Sequence, residues 1–375
     1  MNGIEIKTLH PTKDILKFIK FAWKIYKDDP YWVPPLLMDK KKILNKDKNP
    51  FFKAAQMEMF MAYKNAEPVG RIAAIKNDTH NKIHNENIGF FGFFESVNDQ
   101  EVANALLDKA KEWLKSKGVN AMRGPANPSS NDEFGMLLEG FEDSPRIMMT
   151  YNPKYYLDLM DNYGLKKVKD LLAYQIDNPK LLKSEKLIRV AEIARKRSNV
   201  EIKQINLKQF KSELEKVKFV YNQAWAPNWG FIPMTDEEID NLAKELKPLV
   251  EDSLVVFAEV EGKTVAFALV MLDYNELIKD FNGRLLPFNF IKLFTQRKKI
   301  KWARVLTLGI IPEYQKRGID ALLYYEITKR AEKIGILKGE ASWILEDNEM
   351  MTRGAEVMNG EVYKKYRIYE IEIKQ

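Results

Sequence analysis

Cysteine is absent from the 375 residues, which removes disulfides, thiolate metal ligands and cysteine nucleophiles together. Histidine is scarce at three. Two of them, His80 and His84, have a metal-like spacing, but "NDTHNKIHNEN" reads as a polar loop, so no metal is expected. No Ser/His/Asp order, phosphate-binding P-loop or dinucleotide fingerprint is present. Long hydrophobic runs are missing too. The longest uninterrupted one, Val265 to Leu272, is far short of the ~20 residues a membrane helix needs. Met1 to His10 has no apolar stretch of targeting-segment length, and a cytoplasmic protein without stable membrane insertion is the expectation. The net charge of +7 is too small to argue for nucleic acid, though it suits an anionic ligand.

What is present is ordinary globular material, 45% hydrophobic and 30% charged, in a chain long enough for two domains. Its order repeats. "MEMFMAYKNAEPVGRIAAI" (Met57 to Ile75) and "LVVFAEVEGKTVAFALV" (Leu254 to Val270) each read as two strands around a polar turn. Apolar strand-like runs follow at Ile88 to Glu95 and Arg304 to Ile311. After each comes a helical pattern, Val102, Leu106, Ala110 and Trp113 in one case and Leu323, Ile327, Ala331 and Ile334 in the other. Gly118 and Gly335 end these patterns. Each half then supplies another strand, a helix, a glycine turn and a terminal strand. Two copies of one α/β unit are implied, at 1–180 and 181–375, with a linker near Asp177 to Lys186.

Two inserts interrupt the symmetry. Gly124 to Pro153 is rich in glycine, proline, asparagine and serine, and reads either as a functional loop or as a cover over the sheet end. Asn275 to Arg304 mixes Leu286, Phe288, Phe290, Ile291, Leu293 and Phe294 with a basic run from Arg297 to Lys301. It reads as a packed helix with a solvated basic end or as an amphipathic surface segment.

The chemistry concentrates in "LGIIPEYQKRGIDALL" (Leu308 to Leu323). A helix N-terminus exposes unpaired N–H groups and carries partial positive charge, so it favours anions. Gln315-Lys316-Arg317-Gly318, between an apolar strand and an amphipathic helix, meets that need. A strand, then Gln/Arg-x-x-Gly-x-Gly/Ala, then a helix resembles the acetyl-CoA pyrophosphate motif of the GNAT superfamily of N-acyltransferases. The resemblance at motif level spans about Leu306 to Asn348. It implies a mixed α/β fold of two GNAT-like units in tandem and an acyl-CoA co-substrate. Leu308, Ile310, Gln315, Lys316, Arg317, Gly318, Ile319, Asp320, Ala321 and Asn348 would contact that co-substrate. "YKDDPYWVPPL", "PVGRIAAIKN", "FFGFFE", "RGPANPSSNDEFGMLLEGF", "YNPKYY", "SWILEDN" and "YKKYRIYE" further resemble a bacterial family of GNAT-like proteins, which implies the fold and not a reaction.

Departures from the motif matter. Asp320 stands where the resemblance expects a small residue, and a carboxylate close to a diphosphate would repel it. The first copy's turn, "SVNDQE" from Ser96, has neither glycine nor cation, and Asn98 and Glu101 have capping-box spacing instead. That copy is expected not to hold pyrophosphate. The resemblance also implies a base and an acid, often a tyrosine on the last helix, but no tyrosine lies between Glu349 and Asn359. Tyr363 and Tyr366 lie just beyond. Glu340 and Glu346, six apart on a strand, would share a face, and either could serve as base. Trp225, Asn228, Trp229 and Trp343 are candidates for the acceptor site. The expectation is an N-acyltransferase that joins an acyl group to a small-molecule amine. The alternative is a non-catalytic CoA- or small-ligand-binding protein on the same fold.

Overall fold

The computed structural model describes residues 3–225 and 228–374. The architecture is mixed α/β, as expected. The chain forms two compact units that interleave along the sequence. The first contains Met1–Asp170, Ile278–Phe290 and Lys364–Gln375, and the second contains Leu171–Leu277 and Ile291–Tyr363.

In the first unit the strands are β1 (Ile4–Thr8), β2 (Ala55–Lys64), β3 (Glu67–Asn77), β4 (Ile88–Ser96), β5 (Ala121–Gly124), β6 (Ala126–Asn127), β7 (Glu133–Phe134) and β8 (Met136–Glu139). The second unit holds most of β9 (Lys166–Asp177), then β10 (Val200–Gln204), β11 (Val255–Val260), β12 (Lys263–Leu272), β13 (Trp302–Ile310) and β14 (Lys338–Leu345). The last strand, β15 (Glu361–Glu372), runs mostly in the first unit. The first unit therefore orders its sheet β1-β2-β3-β4-β5-β15, and the second β9-β14-β13-β12-β11-β10. Each repeat's terminal strand completes the unit built mainly by the other repeat.

Local chemistry explains the repeated start. The β2–β3 turn places Asn65 and Ala66 at φ 53° and 65°, and the β11–β12 turn places Glu261 and Gly262 at φ 50° and 76°. Paired positive φ values match the twist of a two-residue hairpin. In the first unit, helix Gln100–Ser116 lays Val102, Leu106, Leu107, Ala110 and Leu114 into the core. Asp99 caps this helix by accepting from the Glu101 N–H at 3.0 Å, so the Asn98–Glu101 capping box does not form. The Val97 N–H still bonds Val69 O at 3.0 Å, which leaves Asn98 in the turn and moves the cap one residue on.

In the second unit, helix Ile319–Lys333 buries Ile319, Leu322, Leu323 and Ile327. Each such side chain contributes at most ~1.5–3 kcal/mol through burial. Among the described residues no helix is long and apolar enough to cross a membrane.

The histidine segment differs from its reading as a loop. Asp78–His84 is helical because the Asn77 side chain caps it, accepting from His80 N. His80 is buried and meets Glu86 at 2.8 Å, and burial holds its imidazole below the usual range. Arg123 donates to both Glu86 oxygens at 3.0 and 3.1 Å. The pair is internal packing, and no metal-holding group of three or more His, Cys, Asp or Glu occurs among the described residues.

Candidate functional site

The second unit opens at its centre. β13 runs parallel to β14 only from Trp302↔Lys338 to Val305↔Ala341. On its other side β13 stays paired with β12 as far as Ile310↔Ala266. β14 stays paired with β9 to Leu345↔Leu171, across an irregularity between Ala341 and Ile344. The two central strands therefore part, and Leu306 to Ile310 present a strand edge to the gap. Backbone polar groups on such an edge need partners, and an extended ligand carrying amides can supply them. Leu306, Thr307, Leu308 and Ile310 are half-buried. The Thr307 hydroxyl is buried with no hydrogen-bond partner among the described residues.

The end of β13 leads into the basic turn. Pro312 starts a short 3-10 turn, Pro312–Tyr314, where its missing N–H costs nothing. Lys316 and Gly318 take φ 60° and 78°, and Gly318 is the N-cap of helix Ile319–Lys333. A Cβ at Gly318 would lie 3.1 Å from Ala194 Cβ on helix Glu185–Ser198, so both conformation and space favour glycine. Gln315 Nε2 donates to Ile310 O at 3.1 Å, tying the turn to the strand end. The Arg317 guanidinium is used locally, donating to Glu313 O at 2.8 Å and lying 4.7 Å from the Tyr314 ring centre. Lys316 is exposed, Ile319 and Ala321 are buried, and Asp320 is half-buried in the first helical turn. Tyr324, one turn on and buried, has its hydroxyl held well above its usual range by burial and by the Asp320 charge.

One register step before the strands part lies a buried polar chain. Arg304 and Glu340 are paired across β13 and β14, and Glu340 is 0% exposed. Arg304 Nε lies 3.3 Å from Glu340 Oε1 and donates to Ser342 Oγ at 2.9 Å. Ser342 Oγ donates to Glu340 Oε1 at 2.6 Å, and Tyr363 donates its hydroxyl proton to Glu340 Oε2. Tyr363 is half-buried and stacks on Trp302, with ring centres 6.0 Å apart. Trp343 lies over the Arg304 guanidinium at 5.3 Å. The structure thus brings Glu340, Tyr363 and Trp343 together through Arg304 and Ser342, neither of which was singled out in the sequence. A charged residue early in an apolar central strand was the available signal for Arg304, because a buried cation requires a partner.

The remaining candidates separate. Glu346 is exposed on the turn after β14, so it does not share a face with Glu340; the irregularity between Ala341 and Ile344 breaks the alternation. Asn348 caps helix Glu349–Val357, its side chain accepting from Met351 N at 3.1 Å. Tyr366 is buried in the sheet. Trp225 packs on β13, where a Cβ at Gly309 would come within 2.1 Å of its ring. Trp225 also stacks with Tyr221 at 5.1 Å. Asn228 donates its N–H to Trp225 O at 2.9 Å, and Trp229 is half-buried beside it.

In the first unit the corresponding gap is filled. β4 pairs with β5 only from Ile88↔Ala121 to Phe90↔Arg123. Beyond that, the start of the Gly124–Pro153 insert enters. A Cβ on Gly92 would lie 1.7 Å from Ala126 O, and Phe93 N donates to Asn127 Oδ1 at 2.6 Å. β6 and β7 form a small ribbon there, Ala126↔Phe134 and Asn127↔Glu133.

No family model matches the chain. It is 35% identical over 376 residues to protein YghO of Escherichia coli, covering 98% of this chain and 95% of the relative. It is 33% identical over 383 residues to the bacterial ceramide synthase of Caulobacter vibrioides, covering 99% and 97%. Among solved structures it resembles a tandem GNAT protein from the clavulanic acid biosynthesis pathway, with TM-score 0.61 and 10% identity over 100% of this chain and 99% of that one. It also resembles a probable N-acyltransferase from Enterococcus faecalis, with TM-score 0.52 and 9% identity over 99% and 73%. The chain belongs to the family of YghO and the bacterial ceramide synthase, built on the tandem GNAT fold.

Proposed function

We propose that the protein is an acyl-CoA-dependent N-acyltransferase whose second unit carries the reaction, and that its acceptor is a long-chain amine. The observation that carries this reading is the gap between β13 and β14, with an amide-ready edge at Leu306–Ile310 and a glycine-capped helix at its end. The pantetheine arm of the donor carries two amides and would pair along that edge. Its diphosphate would face the first N–H groups of helix Ile319–Lys333, beside Lys316. The name of the Caulobacter relative supports an amine of the sphingoid-base class, since a ceramide is such a base acylated on nitrogen.

In this reading the amine attacks the thioester carbonyl carbon, the C–N bond forms and the C–S bond breaks. Tyr363 mediates the proton balance. Its oxygen accepts the amine proton as its own proton passes to Glu340, and the reverse transfer protonates the departing thiolate. Arg304 and Ser342, both at Glu340 Oε1, hold the carboxyl in place and leave Oε2 facing the Tyr363 hydroxyl. Trp225, Asn228, Trp229 and Trp343 line the acceptor side, while Gln315, Gly318 and Asn348 shape the donor side. The test is release of free CoA thiol from acyl-CoA in the presence of a long-chain amino alcohol. Thiol release that depends on both substrates, with an N-acyl product, is expected. Absence of amide product with every acyl length and amine tried would overturn the reading.

The second reading, a non-catalytic CoA- or small-ligand-binding protein, is favoured by one feature. Asp320 occupies the first helical turn, and Arg317 is committed to its own turn rather than to an anion. Binding without turnover selects this reading.

A further inference from the structure

Five large apolar side chains stand exposed within one short stretch: Leu286, Phe288, Phe290, Ile291 and Phe294, at 62, 74, 39, 46 and 55%. Three of the four phenylalanines found strongly exposed among the described residues are in this stretch, the other being Phe219. Scattered single exposed apolar residues are normal, but a contiguous group marks a contact surface. Phe281, Leu293 and Ile300 along the same stretch are buried, so the exposed groups alternate with positions tied into the protein. Phe290 and Phe294 lie four apart on helix Asn289–Thr295 and so project on one side.

Charge identifies the occupant. From Phe281 to Lys301 there is no acidic residue, while Arg284, Lys292, Arg297, Lys298, Lys299 and Lys301 are basic. Arg297 is paired with Glu251 at 3.0 Å, whereas Arg284, Lys292, Lys298 and Lys299 are exposed. Aromatic and aliphatic groups flanked by lysine and arginine match the boundary of an anionic bilayer, where rings enter the acyl edge and cations meet lipid phosphates. A protein partner would need a complementary acidic groove, and nothing in the segment selects one.

We infer that residues 284–301 form a peripheral docking surface for anionic membranes. Docking is reversible, since no helix here is long enough to insert across a bilayer. The inference goes beyond the proposed acyl transfer and stands without it.

The test is sedimentation of the full chain with phosphatidylcholine vesicles, with and without phosphatidylglycerol, across a salt series. Binding to the anionic vesicles is expected to exceed that to neutral ones by at least about tenfold and to weaken as salt rises. The double variant F288S/F294S should lose about tenfold or more while keeping the wild-type thermal transition. K298E/K299E should lose a similar factor on anionic vesicles only. If the native chain ignores anionic vesicles, or if both double variants bind them as it does, the inference is overturned. A change in oligomeric state with F288S/F294S, without vesicle binding by the native chain, would assign the patch to self-association and overturn it equally.

Discussion

The two repeats reach the same point in the fold and then diverge. In each, a parallel pair of central strands separates after a few register steps, β4 from β5 and β13 from β14. The first unit closes its gap with its own chain, the Ala126 carbonyl against Gly92 and the Asn127 side chain against Phe93 N. The second leaves the edge of β13 for something else. The helix starts differ in the same sense. Asp99 caps one helix with a carboxylate that is also bound by Lys64 at 2.9 Å, whereas Gly318 caps the other behind Lys316. One copy is thus finished as structure, and the other keeps a glycine-capped helix start and a strand edge that a ligand could use.

The largest effect that would sharpen this contrast is chemical. Tyr363→Phe keeps the ring against Trp302 but removes the hydroxyl that reaches Glu340, and should lower acyl transfer about 100-fold or more with little change in thermal stability. A rate within about threefold of the native chain would remove Tyr363 from the proton path.

Next are two glycines, one in β4 and one in β13. Gly92→Ala should destabilise by ~2–4 kcal/mol, because its Cβ meets backbone that cannot give way, and should leave acyl-CoA affinity unchanged once folded. Gly309→Ala meets the Trp225 ring instead, and should impair substrate binding more than stability. Denaturant titration and calorimetry of the two variants separate these outcomes, and an exchange of the two phenotypes would break the comparison.

A smaller effect lies in the first unit's closure. Arg367 donates to both oxygens of Asp170 at 2.8 and 3.0 Å. Burial alone would raise that carboxyl, but hydrogen bonds from Arg367 and Lys167 outweigh it and hold Asp170 below the usual carboxylate range. A depressed folded value means stability that is present above the unfolded value near pH 4 and is lost as pH falls through the folded one. Asp170→Asn should therefore cost about 1–3 kcal/mol at neutral pH and flatten the acid limb of the stability curve. An unchanged acid limb would contradict the assignment.

The smallest expected change is at Asp320→Asn, which removes one carboxylate near the anion site and should tighten acyl-CoA binding by about fivefold. No gain would mean that Asp320 faces away from the ligand.

Much of the fold was legible because it is local. Hairpin alternation, helix periodicity and glycine stops depend on neighbours in sequence, and the repeated element order survived low identity. The exchange of terminal strands was not legible, since β9 and β15 are each compatible with either sheet and only pairing decides. The basic turn was readable from Gln315 to Gly318. The Glu340 chain was half-readable: Glu340 and Tyr363 stood out as residue types, but their link through Arg304 and Ser342 depends on β13 and β14 being in parallel register. Glu346 misled because strict alternation ignores the irregularity after Ala341. The plug at Ala126–Asn127 had a composition signal without a location, as glycine- and asparagine-rich loops fit many places.

The most direct measurement of the central claim is the stoichiometry of acyl-CoA binding by calorimetry, on the native chain and on Lys316→Glu. One site per chain is predicted, weakened about tenfold or more by the exposed charge reversal. Two sites per chain, or a single site indifferent to Lys316→Glu, would contradict the account of one closed copy and one open one.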